Sequence, residues 1–133
     1  MSKGGELKIT IRPQADFPLM DAYKEKFEIT DRTIFALGLD IYTNYPLTPD
    51  LLVHELCHLK QQERIGVKEW AYDFLENPQK RLEFELEAYR AQILSVKDRN
   101  QRDQIRRQSA IDLSSSLYGN IITRDQAFTL LKV

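Results

Sequence analysis

The stretch PDLLVHELCHLKQQERIG, residues 49–66, carries clear helix boundary signals and both histidines of the chain. Thr48 suits the N-cap, Pro49 suits the first helical position, and Gly66 suits a left-handed helix stop. These signals predict one helix from residue 49 to about residue 65. The rest of the fold is assigned outward from this helix.

Within this helix, His54 and His58 lie about 40° apart on a helical wheel, with Cβ atoms roughly 5–6 Å apart. Two imidazoles at that separation can each place a nitrogen about 2.0–2.1 Å from one zinc ion. Glu55 is turned aside from the two rings, where it can reach a water as a general base. The H-E-x-x-H pattern therefore predicts His54 and His58 as metal ligands and Glu55 as the catalytic residue. Cys57 lies off this stripe and is interpreted as a small buried hydrophobe.

Two histidines hold zinc weakly, and a catalytic zinc site normally has three protein ligands. The chain has no third histidine, so the candidates are the carboxylates of the later stretch RLEFELEAYR, residues 81–90. Leu82, Leu86, Tyr89 and Ile93 mark its buried stripe. Glu85 lies about 60° from Leu82, at the stripe's border, whereas Glu83 and Glu87 face away at about 100° and 140°. Glu85 is the predicted third ligand and Glu87 the alternative. In the non-functional interpretation, all three acids are solvent-exposed residues that favour the helix.

Composition bounds the class of protein. A chain of 133 residues with 42% apolar and 29% charged residues fits one globular domain, residues 1–133. The net charge of −1 gives no electrostatic case for nucleic acid or an anionic membrane, and the basic stretch at residues 97–107 is interleaved with acids. One cysteine and no long apolar run favour a soluble protein of the cytoplasm with no membrane partner.

The flanking patterns predict an α+β fold, with short strands in the N-terminal part packed on a helical C-terminal part. Leu7, Ile9 and Ile11 alternate in a short strand before Pro13, and residues 33–44 form one bent strand or a tight pair of strands. A short helix is expected at residues 18–27. Further helices are expected at residues 67–76, 79–96 and 101–118, and a last one after a capping box at Thr123 and Gln126.

The motifs LLVHELCHLKQQ, residues 51–62, and FELEAYRAQ, residues 84–92, resemble the gluzincin group of zinc metallopeptidases. The chain is similar to small single-domain proteins related to the ImmA/IrrE and HtpX-type peptidases, in which H-E-x-x-H is followed by E-x-x-A. This resemblance covers about residues 33–92. It implies a zincin-like minimal metallopeptidase domain, and Ala88 then places the third ligand on Glu85.

The resemblance implies Zn²⁺ as cofactor and a peptide or protein as substrate, hydrolysed by metal-activated water with Glu55 as general base. It also implies that the strand ending near Tyr42 pairs with an extended substrate. Tyr89, Arg90 and Tyr118 are unranked candidates for the donor to the oxyanion. Tyr89 stands where many of these families have Asp or Asn bonded to a ligand histidine. The residue that bonds to a ligand histidine is therefore left open. Gln61, Gln62 and Trp70 are expected on the helix surface or in the core.

Two other functions remain open from the sequence. One is a zinc-binding domain that does not cleave and serves in protein interactions, against which the intact Glu55 argues. The other is a metal-free helical interaction protein in which the histidine pattern is coincidental. A role on DNA has no support from a helix-turn-helix or a basic stripe, so no nucleic acid partner is expected.

Overall fold

The computed structural model describes residues 8–133 and has a small sheet followed by a mostly helical remainder. The α+β prediction is therefore confirmed. The strands and helices are, in chain order, β1 (Thr10–Arg12), α1 (Met20–Lys26), β2 (Phe35–Leu37), β3 (Asp40–Tyr42), α2 (Pro49–Ile65), α3 (Val67–Glu76), α4 (Pro78–Leu94), α5 (Arg99–Leu113) and α6 (Arg124–Leu130), with short 3-10 turns at Gln14–Asp16 and Ser116–Tyr118.

The sheet has the order β1-β3-β2, with β1 parallel and β2 antiparallel to the central strand β3. Residues 33–44 thus form the tight pair of strands, turning at Gly38, whose positive φ of 69° favours glycine. The strand ending at Tyr42 is paired on both sides, so the expectation that it pairs with a substrate is wrong. The strands with an open edge are β1 and β2, and of these two β2 lines the cavity described below.

The first predicted strand is confirmed as the shorter β1. Ile9, just before it, packs against the core around Ile41, whereas Ile11 is 53% exposed. All three residues of β1 are exposed, so the buried face that the alternation predicts is not formed in this strand. Leu7, the first apolar residue of the predicted pattern, lies outside the described residues.

The histidine helix, α2, has the predicted bounds, but its ends differ in detail from the expectation. Thr48 makes no capping bond to the helix backbone; its hydroxyl instead donates to the Asp50 carboxylate at 2.8 Å. Gly66 ends the helix with φ 111° and ψ 136°, which is not the left-handed helical conformation expected. The positive φ still explains why glycine occupies this position.

The later helices follow the sequence signals, with one shift. Both reciprocal bonds of the capping box between Thr123 and Gln126 are present. The helix expected at residues 101–118 ends at Leu113, and a 3-10 turn carries the chain to Gly119. This shift places Tyr118 on a separate short segment, facing Tyr89 of α4.

Helix α2 is at the centre of the described structure, where it contacts β2, α3 and α4. Leu59 packs with Ile41 and Ala36 toward the sheet. An aromatic cluster links the N-terminal segment to α3 and α4 and comprises Phe17, Tyr23, Phe27, Phe35, Tyr42, Trp70, Phe74 and Phe84. This packing places His54 and His58 of α2 against α4, surrounded by apolar side chains. None of the helices in residues 8–133 is long and apolar enough to cross a bilayer.

Candidate metal centre

The packing of α2 on α4 brings His54 and His58 against Glu85. The Nε2 atoms of the two rings are 3.2 Å apart, and each lies 3.1 Å from an oxygen of the Glu85 carboxylate. The three residues are 4%, 4% and 2% exposed. All three residues predicted as metal ligands are thus brought together, and this buried group could hold a metal ion.

The spacing of these atoms fits a small metal ion. In a tetrahedral site with metal–ligand bonds of about 2.0–2.1 Å, neighbouring ligand atoms are about 3.3–3.4 Å apart. The observed separations of 3.1–3.2 Å differ from this by only a few tenths of an ångström. The two Glu85 contacts use different carboxylate oxygens, one to each ring, and the candidate ligand atoms all lie within 4.8 Å of one another.

The orientation of His54 is set by Gln92, also on α4. The amide nitrogen of Gln92 donates to the Asp50 carboxylate at 2.8 Å, so its amide oxygen faces Nδ1 of His54, 3.0 Å away. An amide oxygen only accepts hydrogen bonds, so Nδ1 of His54 carries a proton. In the neutral ring, Nε2 then presents its lone pair to His58 and Glu85.

The same arrangement holds for His58, with Gln61 as the partner. The Gln61 amide nitrogen donates to the Phe84 carbonyl at 3.0 Å and to the Glu87 carboxylate at 2.8 Å. Its oxygen accepts from Nε1 of Trp70 and faces Nδ1 of His58, both at 3.0 Å. Because the indole only donates, the amide orientation is unambiguous, and His58 also presents the lone pair of Nε2.

With both rings neutral, two imidazole lone pairs and two carboxylate oxygens face one another with no hydrogen between them. Such a buried group of acceptors is unfavourable unless it holds a cation. A proton can serve: burial lowers the pKa of His58, but the Glu85 carboxylate outweighs burial and raises this pKa to about 9. At Glu85 burial favours a higher pKa, but the two histidines outweigh it and lower this pKa to about 2. The donor set is equally suited to a divalent metal ion.

Glu55 lies beside the metal-binding group but does not belong to it. Its side chain is 5% exposed, lines the same cavity, and makes no hydrogen bond to any residue within 8–133. Burial raises the pKa of the Glu55 carboxyl, against the opposing effect of the two histidines. No fully buried side-chain oxygen within 8–133 lacks a partner, so the Glu55 oxygens lie at the surface of the cavity, next to the candidate metal site, where they are suited to exchanging protons with a ligand.

The other acids of α4 do not join the group. Glu87, the alternative ligand, accepts from Gln61 and lies 3.6 Å from Arg64, with half of its side chain exposed. Glu83 is exposed and faces Lys80. Of the three carboxylates, only Glu85 contacts the histidines, as the helical wheel predicts.

Tyr89 contacts His54 without a hydrogen bond to it. Its ring packs edge-on against His54 with centroids 4.4 Å apart, and its hydroxyl lies 2.9 Å from that of Tyr118. Both tyrosines line the cavity, whereas Arg90 donates to the Leu130 carbonyl and points elsewhere. Arg90 is thus removed as a candidate donor to a bound substrate. Cys57 stays outside the group as well, partly buried, with Sγ 3.8 Å from the amide of Gln61.

A cavity of about 570 Å³ opens beside these residues. Its volume is in the range of small-molecule and peptide side-chain sites. It is lined by the segments before β2 and before α2, by α5, and by aromatic side chains of the core that include Tyr23, Phe27 and Phe74. The predicted ligands and Glu55 therefore face a space that a substrate can enter.

Two functional positions were missed from the sequence. The sequence indicates helix surface or core for Gln61 and no particular role for Gln92, yet these are the partners of the two histidines. A signal existed: on the helical wheel, Gln61 lies about 20° from His54 and Gln92 about 20° from Glu85. Trp70, also assigned to surface or core, is buried and donates to Gln61.

No protein family, curated protein or solved structure matches this chain.

Proposed function

We propose that this protein is a zinc-dependent metallopeptidase with a zincin-like fold. One observation carries the proposal: two histidines and a glutamate form a buried group of three convergent donors, and the carboxyl of Glu55, which makes no hydrogen bond to residues 8–133, lines the same cavity. A purely structural metal site needs no such carboxyl. The likeness of residues 51–62 and 84–92 to the gluzincin motifs supports the same function.

Zinc is the ion that best suits the donors. Two imidazoles and one carboxylate are a frequent ligand set of catalytic zinc, and they leave a fourth position for water or substrate. When bound here, zinc would supply Lewis acidity, polarising a carbonyl and lowering the pKa of water toward 7. Gln92 and Gln61 would keep the proton on Nδ1 of each ring, so that Nε2 of each is ready to bind the ion.

Glu55 would act as the general base and then as the general acid. At the edge of this cavity, its carboxylate would accept a proton from the attacking water and deliver it to the leaving amine. Burial raises the pKa of this carboxyl, which brings its proton affinity closer to that needed near neutral pH. Its lack of a protein partner leaves both oxygens available for these transfers.

The tyrosine pair would assist the carbonyl oxygen. Two hydroxyls 2.9 Å apart share one hydrogen bond, which uses one of their two hydrogens. The other hydrogen has no acceptor among residues 8–133 and can be donated to an oxygen that gains negative charge. Tyr118 or Tyr89, rather than Arg90, is therefore the proposed oxyanion donor.

The test begins with the zinc-loaded protein and a mixture of casein-derived peptides, analysed by mass spectrometry for new termini. We expect cleavage by the parent protein and none by Glu55→Gln, with one zinc per chain in both. Equal cleavage by the variant would overturn the role of Glu55. If zinc is held but nothing is cleaved, a non-catalytic zinc-binding interaction domain replaces the peptidase, and absence of bound zinc would reject both.

A further inference from the structure

The strand β2 exposes an edge whose hydrogen-bonding groups can be assigned. The backbone carbonyl of Leu39 and the N–H of Thr43 bond to the β1 side of β3. Since backbone groups alternate along a strand, Asp40 and Tyr42 bond on the other side, to β2. Their partners are Leu37 and Phe35, so the N–H and carbonyl groups of Ala36 point outward from the sheet.

This outward edge is already partly occupied by one side chain of the histidine helix. The amide nitrogen of Gln62 donates to the Ala36 carbonyl at 2.9 Å, and its amide oxygen accepts from the Gly38 N–H at 2.7 Å. Gln62 is 1% exposed and lies one helical turn after His58. Its amide therefore makes the two bonds that another peptide strand would make at this point.

The cavity ends at the same point of the strand. Ile34, Phe35 and Ala36 line it, whereas Leu37 and Gly38 do not. A peptide lying along the β2 edge beside the metal-binding group would find the outward-facing backbone groups of Ile34 and the N–H of Ala36. Phe35 bonds to β3 instead, and the Ala36 carbonyl bonds to Gln62. Beyond Ala36 it would meet the Gln62 side chain in place of a bonding partner.

From this geometry we infer that Gln62 determines substrate length by closing the β2 edge on one side of the scissile bond. The inference rests on the peptidase proposed above. An antiparallel arrangement gives the more stable strand pairing, and in it the amino-terminal part of the peptide runs toward the C-terminal end of β2. The closed side is then the amino-terminal one, and the protein favours cleavage close to the amino terminus of a peptide.

The test uses one bond found to be cleaved in the casein peptides and two nested series of synthetic peptides around it. In the first series residues are added before the scissile bond, and in the second they are added after it. We expect kcat/KM to fall about tenfold as the first series lengthens, because the added residues must displace the Gln62 amide and break its two hydrogen bonds to the β2 backbone. The second series should change little. Equal tolerance of both extensions, or a loss only in the second series, would overturn the inference while leaving the peptidase intact. Failure to cleave any peptide would instead reject the proposed function.

A variant provides a second, independent measurement. Gln62→Ala frees the Ala36 carbonyl and the Gly38 N–H and leaves space beside them, so longer amino-terminal extensions should regain the activity of the short peptide. Gln79→Ala, at an exposed glutamine of α4, is the matched control and should keep the preference. A folded Gln62→Ala protein with unchanged length preference would contradict the role of Gln62. Should this variant not fold, the parent protein's two series still decide the question.

Discussion

His54 and Gln92 are joined through Nδ1 and the amide oxygen at 3.0 Å, although 38 residues separate them in the chain. The Gln92 amide nitrogen donates in turn to Asp50, in the first turn of α2. A chain of two hydrogen bonds thus connects Asp50 of α2, Gln92 of α4 and His54 of α2. It fixes both the tautomer and the rotation of the imidazole. Gln92 thus provides the partner that the sequence motif left open.

Removing this partner should weaken zinc binding. Gln92→Met keeps the approximate volume but leaves Nδ1 of His54 without an acceptor, so we expect zinc affinity to fall about 10–100-fold. Competition with a chromophoric chelator measures this. Gln79→Met, at an exposed glutamine, should bind zinc as the parent does. An unchanged affinity in Gln92→Met would show that the Gln92 bond does not orient the ligand.

Zinc should stabilise the fold through Glu85. At a free zinc concentration of about 100 Kd the free energy of unfolding should rise by about 2.7 kcal/mol, and the melting temperature by on the order of 10 °C. Glu85→Ala should abolish the shift. Glu83→Ala, which removes an exposed acid from the same helix, should leave the zinc-dependent shift in melting temperature unchanged. Thermal melts with and without zinc, together with zinc content per chain, provide the measurement.

Zinc binding should release protons. We expect His58 to be protonated at neutral pH in the metal-free protein, since the Glu85 carboxylate outweighs burial and raises its pKa to about 9. A metal ion takes the neutral ring, so about one proton leaves for each zinc bound at pH 7, and affinity falls about tenfold for each pH unit below this pKa. Calorimetry in buffers of different ionisation enthalpy counts the protons. A count of zero would contradict the raised pKa.

In the metal-free protein, the pair of His58 and Glu85 should contribute most to the free energy of unfolding in mildly acidic solution. The pKa of His58 is raised from 6.5 to about 9, so its contribution is complete below pH 6.5 and lost as pH rises through 9. The pKa of Glu85 is lowered from 4.5 to about 2, so its contribution is complete above pH 4.5 and lost as pH falls through 2. Urea unfolding across this range measures both slopes. In His58→Gln the loss between pH 6.5 and 9 should disappear.

Cys57 should react slowly with alkylating reagents. Burial, followed by the nearby Glu87 carboxylate, raises the pKa of this thiol to about 11, and the thiolate is the reactive form. At pH 8 iodoacetamide should modify it about a hundredfold more slowly than N-acetylcysteine, and the rate should keep rising beyond pH 10. Mass spectrometry over time follows the reaction. A rate that levels off near pH 9 would contradict the raised pKa.

The local features of this protein were determined by the sequence itself. The bounds of the histidine helix follow from Pro49 and Gly66, and the approach of His54 to His58 follows from helical spacing alone. Glu85 could be chosen over Glu83 and Glu87 because a carboxylate at the border of an apolar stripe must meet a partner. Each of these conclusions depends on residues within a few turns of one helix, where geometry is nearly fixed by the backbone.

Only the tertiary structure decided which groups meet between elements. The pairing of His54 with Gln92, the place of Tyr118 beside Tyr89, and the central position of β3 all depend on how α4 and the sheet lie against α2. Helical and strand periodicity give the face on which a side chain lies, but not the axial offset or the order of neighbouring elements. Those are set by the packing of apolar side chains from many distant parts of the chain.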